Sequence, residues 1–320
     1  MPSDPLEGLV TPVTRLFGIA YPVVQGGMIW ASGWRLAEAV SRAGGLGVIG
    51  AGSMEPEVLD EHVGKLRSRW GGPFAVNFPV SNRRADGFAE ICEEREVPVV
   101  ITSAGSPSRY TERLKGAGAK VVHVVPSATL ARKVERAGCD AVVAEGTEAG
   151  GHNGYEEITS QVLWPSVVDA VSIPVIAAGG IVDGRGIAAA FAHGVGGVQL
   201  GTRFAASEES SAHPEYKRAL VESGEAAARL YLRTYLPTRA LSNLYVEGAV
   251  TAERGGASTE ELARIRGKGR SRRGIFEGDF EEGDLEAGQA AYRIGAIEPA
   301  GEIVRRLVEE YRAAVRDMPR

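Results

Sequence analysis

Residues 140–154 read DAVVAEGTEAGGHNG. An apolar run at 140–144 passes into a loop carrying Gly146, Gly150, Gly151 and Gly154 and a single histidine, His152. Glycines present no side chain, so the backbone there can lie close to a ligand. His152 is the side chain of this loop that can take up and return a proton near neutral pH. Two later stretches repeat the passage from apolar run to glycine: PVIAAGGI at 174–181 and GVQLGTRF at 197–204. Three such strand ends, roughly 25 to 35 residues apart, predict one barrel rim that holds a phosphate and a flat ligand.

Upstream, further apolar runs lie at 21–28, 46–50, 74–77, 97–102 and 120–125, so the chain carries eight in all with 140–144, 174–178 and 197–201. They are near-continuous rather than alternating, as parallel strands covered on both faces are. Amphipathic stretches fall between them, near 32–43, 55–69, 84–94, 107–117, 127–137, 160–171 and 184–193. Gly44, Gly118, Gly138 and Gly194 stand where helices stop. The fold class predicted is α/β, a (β/α)8 TIM barrel. The eighth helix is expected at 299–316, PAGEIVRRLVEEYRAAVR. Residues 1–204 and 297–320 then form the barrel, and 205–296 an inserted lid or substrate subdomain. The insertion opens on an expected helix at 214–223. At 264–273 it holds six basic residues in RIRGKGRSRR, followed by an acidic run at 277–284. This segment reads either as a solvated, mobile loop whose charges pair locally, or as a surface for an acidic partner or a dinucleotide phosphate.

Hydrophobic residues make up 44% of the 320 and charged residues 24%, the composition of a globular protein with a large core. A formal net charge of −5 gives no reason to expect nucleic acid. The opening MPSDPLEGLVTP has no basic region leading into an apolar run, so no signal peptide is read there. No uncharged apolar stretch reaches membrane-spanning length, and a cytoplasmic protein is expected. Cys92 and Cys139 match no metal spacing and read as buried thiols.

The strand ends supply the site. Gly26-Gly27-Met28 closes the first, either as backbone and a soft sulfur against a planar ligand or as a tight turn with a core methionine. Asn77 ends the third, to bond a ring edge or to cap the next segment. Thr102-Ser103-Ala104-Gly105 ends the fourth, and Ser127 after the fifth reads as a helix N-cap. Gly179, Gly180 and Gly201 offer backbone N–H donors at the seventh and eighth strands, with Thr202 adding a hydroxyl and Gln199 facing the ligand. Glu145 and Glu148 flank the histidine loop, to orient His152, to contact the ligand, or to stand in solvent. His62 and His193 fall on helical faces, His123 within the fifth strand, and His213 opens the insertion. No Ser–His–Asp set or metal cluster stands out.

Taken together, QGGM at 25–28, AEGTEAGGH at 144–152, PVIAAGGI at 174–181 and VQLGTRF at 198–204 resemble the motifs of the nitronate monooxygenase (2-nitropropane dioxygenase) family of FMN-dependent barrels. The related flavin-dependent enoyl-acyl-carrier-protein reductases share them. The resemblance covers about residues 15–225, the AGQ near Gly288 and the last helix. It implies FMN, bound without a covalent link. The implied flavin contacts are Gly26, Gly27, Met28, Asn77 and Gly150, with Glu145 and Gly151 beside them. The implied phosphate and ribityl contacts are Gly179, Gly180, Gln199, Gly201 and Thr202. The family's catalytic histidine matches His152, which would abstract the α-proton of a nitroalkane or steady the anionic nitronate before dioxygen completes the oxidation.

The alternative the resemblance implies is an NAD(P)H-dependent enoyl reductase, with acyl carrier protein as partner; quinone reduction is also open to such a flavin. Glu145 stands where many nitronate monooxygenases carry Gln, and 103–127 look more reductase-like. The basic run 264–273 would suit an acidic carrier protein. The nitronate monooxygenase type is the reading adopted, acting on a small molecule, with a homodimer open to it. Ranked below it are a non-redox sugar-phosphate isomerase or lyase and a non-catalytic flavin-binding regulator.

Overall fold

The computed structural model describes residues 9–318; most of the opening segment read for a signal peptide lies outside the described residues. Its strands, in chain order, are β1 (Val23–Gln25), β2 (Val48–Gly50), β3 (Ala75–Pro79), β4 (Val99–Ser103), β5 (Lys120–Val125), β6 (Ala141–Glu145), β7 (Gly151–His152), β8 (Val175–Ala178), β9 (Gly197–Leu200), β10 (Ala228–Tyr231) and β11 (Thr238–Leu241). Eight of them form one parallel sheet in the order β1-β9-β8-β6-β5-β4-β3-β2. The ring is completed between its two ends. Val24 and Leu46 form a parallel bridge, and Gln25 N donates to Leu46 O at 3.0 Å. The fully buried Gln25 side chain spans the same seam, accepting from Val48 N at 2.9 Å and donating to Ser32 Oγ at 2.9 Å. With helices alternating between the strands, this is the expected (β/α)8 barrel.

Strand side chains sort by parity. Val24, Val48, Ala75, Val99, Val122, Ala141, Val143, Ile176 and Ala178 form a core inside the barrel. Val23, Ile49, Val76, Val100, Val121, Val142, Ala144 and Ala177 belong to the separate core under the helices. The runs lack alternation in polarity because both faces are buried. Parity also sets the top layer: two residues past Ala75, Val143 and Gly197, the side chains of Asn77, Glu145 and Gln199 belong to the inner face.

The elements follow the expected order closely. Gly44, Gly118, Gly138 and Gly194 all have positive φ after their helices, and Ser127 caps its helix by accepting from Leu130 N at 3.4 Å. The stretch at 107–117 is not one helix. Pro107 opens a 3₁₀ turn, Pro107–Arg109, and the α-helix begins anew at Thr111–Gly116. Both cysteines are buried free thiols. No helix among the described residues is long and apolar enough to cross a membrane.

Between β9 and the last helix lie helices Pro214–Glu222, Leu244–Arg254 and Thr259–Arg266 and the β10–β11 hairpin. The basic run is not a structureless loop. It finishes helix Thr259–Arg266, then makes a π-helical turn at Arg272–Phe276. Its charges do pair locally: Arg270 with Glu282 at 2.6 Å, Arg272 with Glu277 at 2.8 Å, and Arg273 with Asp279. The hairpin reaches back to the barrel, where β11 pairs antiparallel with β7, setting Thr238 opposite His152 and Arg239 opposite Gly151.

The last helix, Ala300–Arg316, buries Ile303, Val304, Leu307 and Val308, one stripe at helical spacing. It rests on helix Gly184–Ala192. A Cβ on Gly184 would stand 2.1 Å from Tyr311 N, and Gly184 N donates to Glu310 Oε2 at 3.0 Å. Gly184→Ala is therefore expected to destabilise the protein by about 1–3 kcal/mol, the usual cost of forcing an extra carbon into a close-packed contact. Urea unfolding measures it; an unchanged midpoint would mean the last helix does not dock this closely.

Candidate active site

The C-terminal ends of the barrel strands surround a cavity of about 1160 Å³. His152 and every residue assigned above to ligand contact line it. The chain brings them from strand ends far apart in sequence, as barrel topology requires.

At the ends of β8 and β9 the backbone is arranged for an anion. Gly179 and Gly180 have φ of +100° and +71°, a left-handed pair that a Cβ would strain. Gly179 O accepts from Ser160 Oγ at 3.1 Å, and Gly201 O accepts from Phe204 N at 2.9 Å. The N–H groups of Gly179, Gly180, Gly201 and Thr202 meet no protein acceptor among the described residues. Thr202 Oγ1 accepts from Gly288 N at 2.9 Å, which leaves its hydroxyl proton to donate.

Other glycines of the motifs answer to packing. A Cβ on Gly27 would lie 2.3 Å from the Cβ of Asn77, and one on Gly150 2.5 Å from the backbone of Ala287. Asn77 does not cap the following segment: its Nδ2 donates across to Ile101 O at 3.0 Å.

The cavity floor holds two polar groups without protein partners. The Gln199 Oε1 is buried with nothing to accept from. Glu145 closes β6, and its half-buried carboxyl makes no hydrogen bond or ion pair among the described residues. Burial alone pushes its carboxyl up to about 7. Glu148 takes a different part. It accepts from Ser160 N at 2.9 Å and Ser160 Oγ at 2.7 Å, and so anchors the start of helix Ser160–Val168. Neither glutamate orients His152.

The partners of His152 come from the insertion instead. Arg266 Nη2 lies 3.1 Å from His152 Nε2. A guanidinium has donors only, so Nε2 accepts and the ring proton sits on Nδ1. The imidazole opens onto the cavity, where solvent reaches it, and protein surrounds it elsewhere. That burial holds its pKa below the ordinary histidine value, with Glu286 raising it and Arg266 lowering it further. His152 is thus a neutral base at pH 7. Glu286 is fixed in turn by Ser271 Oγ, which donates to its Oε1 at 2.7 Å.

His123 also lines the cavity, although the sequence places it within a strand. It is buried beside Thr102, with Nδ1 2.7 Å from Thr102 Oγ1, and burial lowers its pKa to about 4 against an opposing backbone contact from Gly105. His62 accepts from Trp34 N at 3.3 Å, His193 packs edge-on to Trp164, and His213 caps helix Pro214–Glu222. Among the described residues no three His, Cys, Asp or Glu side chains converge on a metal position.

A (β/α)8 barrel with free backbone N–H groups at its last two strands and an imidazole facing the same cavity has the architecture of a barrel enzyme, its cavity at the C-terminal ends of the strands. The chain belongs to the nitronate monooxygenase family, whose model matches residues 10–95 and 87–310. It is an oxidoreductase, and a flavin is the cofactor that membership brings. It is 38% identical over 269 residues to a Mycobacterium tuberculosis protein, (3aS,4S,5R,7aS)-5-hydroxy-7a-methyl-1-oxo-octahydro-1H-indene-4-carboxyl-CoA dehydrogenase, covering 83% of this chain and 74% of that one. The solved structure of FabK from Thermotoga maritima superposes with a TM-score of 0.90 at 44% identity, over 96% of this chain and 98% of that one. Nitroalkane oxidase from Streptomyces ansochromogenes gives 0.79 at 31% identity, over 96% and 99%.

The charges around His152 make its titration predictable in sign. Arg266→Gln removes a repelling cation and is expected to raise the His152 pKa, whereas Glu286→Gln removes an attracting anion and lowers it. Histidine-ring NMR across the neutral range reads both shifts. Movement of neither, or in the opposite directions, would contradict the contacts described.

Proposed function

We propose that this protein is an FMN-dependent oxidoreductase of the nitronate monooxygenase type, oxidising alkyl nitronates with dioxygen. The observation that carries the reading is the neutral His152, held against Arg266, above a floor whose polar atoms lack protein partners. The unpartnered Gln199 Oε1 and the free N–H groups of Gly179, Gly180, Gly201 and Thr202 fit a ligand with a polar ring and a phosphate, as FMN is. Those four residues would hold the phosphate, and Gly26, Gly27, Met28 and Asn77 would line the ring's place. Bound FMN supplies the electron acceptor that dioxygen reoxidises.

The chain's own residues supply the rest. His152 Nε2 takes the α-proton of a nitroalkane once Arg266 turns from it to the substrate. The guanidinium then faces the nitronate oxygens, with charge-assisted hydrogen bonds to the anion. Glu286 lowers the cost of the resulting imidazolium. The insertion brings Arg266 against His152 and Glu286 to the cavity wall, and acts as the cavity's lid.

A second reading has its own support. The 44% identity to FabK across nearly the whole chain favours an NAD(P)H-dependent reductase of enoyl thioesters, with acyl carrier protein as the partner. The Mycobacterium tuberculosis relative, named for a carboxyl-CoA substrate, points the same way.

Anaerobic addition of ethyl nitronate to the flavin-loaded protein is expected to bleach its visible bands, and NADPH is not. Bleaching by NADPH alone, with turnover of a crotonyl-type thioester, would replace the first reading by the second. His152→Ala is expected to slow oxidation of neutral nitroalkanes by about 10²–10⁴-fold, the usual size of a general-base contribution. Oxidation of preformed nitronate falls much less, because its proton is already gone. Equal losses on both substrates would leave His152 with an anion-steadying role only.

A further inference from the structure

The cavity has an arm that a flavin and a small nitronate leave unused. It runs from His123 between the loop after β4 and helix Ala128–Arg136. Leu130, Lys133, Val134 and Ala137 form one wall, spaced i, i+3, i+4 and i+7 on a single helical face. Ser106, Pro107 and Ser108 stand in the other. The whole cavity, about 1160 Å³, exceeds the roughly 300–1,000 Å³ that suits one drug-sized ligand.

Two free cations flank the arm on its solvent side. Lys133 and Arg136 both line it, are exposed, and make no ion pair or hydrogen bond among the described residues. Glu135, between them in sequence, accepts from Ser172 N at 2.6 Å. Basic residues of the preceding segment are taken: Arg109 by Asp86, Arg113 by Glu93 and Lys115 by Asp140. In the basic run 264–273, Arg270, Arg272 and Arg273 are likewise spent on local pairs. The unspent positive charge at the cavity therefore lies on the helix after β5.

Between the cavity and these cations the walls are mixed. Leu130, Val134 and Pro107 are apolar, and Leu130 is left exposed. The hydroxyls of Ser106 and Ser108 and the N–H groups of Gly105 and Ser106 have no partner among the described residues. A chain of methylenes and amides that ends in a phosphate matches these groups in turn, with the phosphate drawing charge-assisted hydrogen bonds from both cations. A fatty acid would want an apolar wall throughout. A dinucleotide would want an aromatic ring on which to stack its adenine, and none lines the arm.

We propose that this arm takes the phosphopantetheine chain of an acyl thioester, with Lys133 and Arg136 holding its phosphate and the acyl end in the cavity. The inference rests on the thioester reading and gives it a binding site.

The test is calorimetric titration of the flavin-loaded protein with crotonyl-CoA, with the crotonyl thioester of an acyl carrier protein, and with crotonyl-pantetheine, which has no phosphate. The variant is Lys133→Gln with Arg136→Gln, two exposed side chains on which no contact of the fold depends. Crotonyl-CoA should bind the variant about tenfold more weakly than the wild type, the size that two exposed charge contacts reach together. Crotonyl-pantetheine should bind the two alike. Added salt should weaken crotonyl-CoA binding to the wild type and leave crotonyl-pantetheine unmoved. A matching loss with the carrier-borne thioester shows that either source of the chain uses the site; its failure to bind makes free CoA the source. Loss with the carrier-borne thioester alone would assign the cations to the carrier's own surface and overturn the phosphate site. Equal affinities of both proteins for every thioester overturn the site and leave the thioester reading intact. No thioester binding to the wild type overturns both.

Discussion

The site depends on one short antiparallel pairing. A barrel loop as rich in glycine as 146–154 has little side chain of its own with which to hold a histidine in place. The pairing of β7 with β11 supplies what the loop lacks, setting His152 opposite Thr238 and Gly151 opposite Arg239. The same contact buries Arg239, whose guanidinium donates to carbonyls on both sides of the junction, Thr147 O and Ala228 O. A buried cation satisfied in this way is costly to displace, because freeing it leaves an uncompensated charge. The glycines that look like room for a ligand also serve this junction: Gly150 lets the backbone of Ala287 approach, and Gly151 faces the Glu286 carboxylate. The histidine loop and the insertion are thus one physical unit.

The rest of the barrel places the cavity floor by arithmetic of parity. Inward side chains below are small or β-branched and fill the interior, while the next inward position on three strands is Asn77, Glu145 or Gln199. Polarity appears where the apolar filling ends and the ligand begins. The buried Gln25 bridges the seam where β1 meets β2, and Gly26–Met28 follow directly from it to the rim.

Much of this was legible in the sequence, because it is local. Apolar runs and helix-stopping glycines give strand and helix positions to within a few residues, and the two glycine-ended strands announce the anion site. The histidine was legible from its odd company of small residues. What surrounds it was not. Arg266 meets His152 across 114 residues, and nothing in RIRGKGRSRR sets that arginine apart from its neighbours. Glu286 precedes the AGQ stretch without any local signal of its own. The two loop glutamates, Glu145 and Glu148, look alike in sequence; three positions of chain send one to the cavity floor and the other to the start of a helix. The break at Pro107 shows the opposite limit, where a local signal was present and the amphipathic pattern outweighed it.

On the proposed reading, the open backbone at the ends of β8 and β9 holds the phosphate of a flavin whose ring lies over this floor. The direct measurement is the phosphorus NMR spectrum of the protein with one equivalent of FMN, followed through the pH range where a free phosphate monoester titrates, near about 6. One bound resonance that does not move with pH is expected, because backbone N–H groups hold the phosphate in a single ionisation state away from water. A resonance that titrates as free FMN does would place the phosphate in solvent and contradict it.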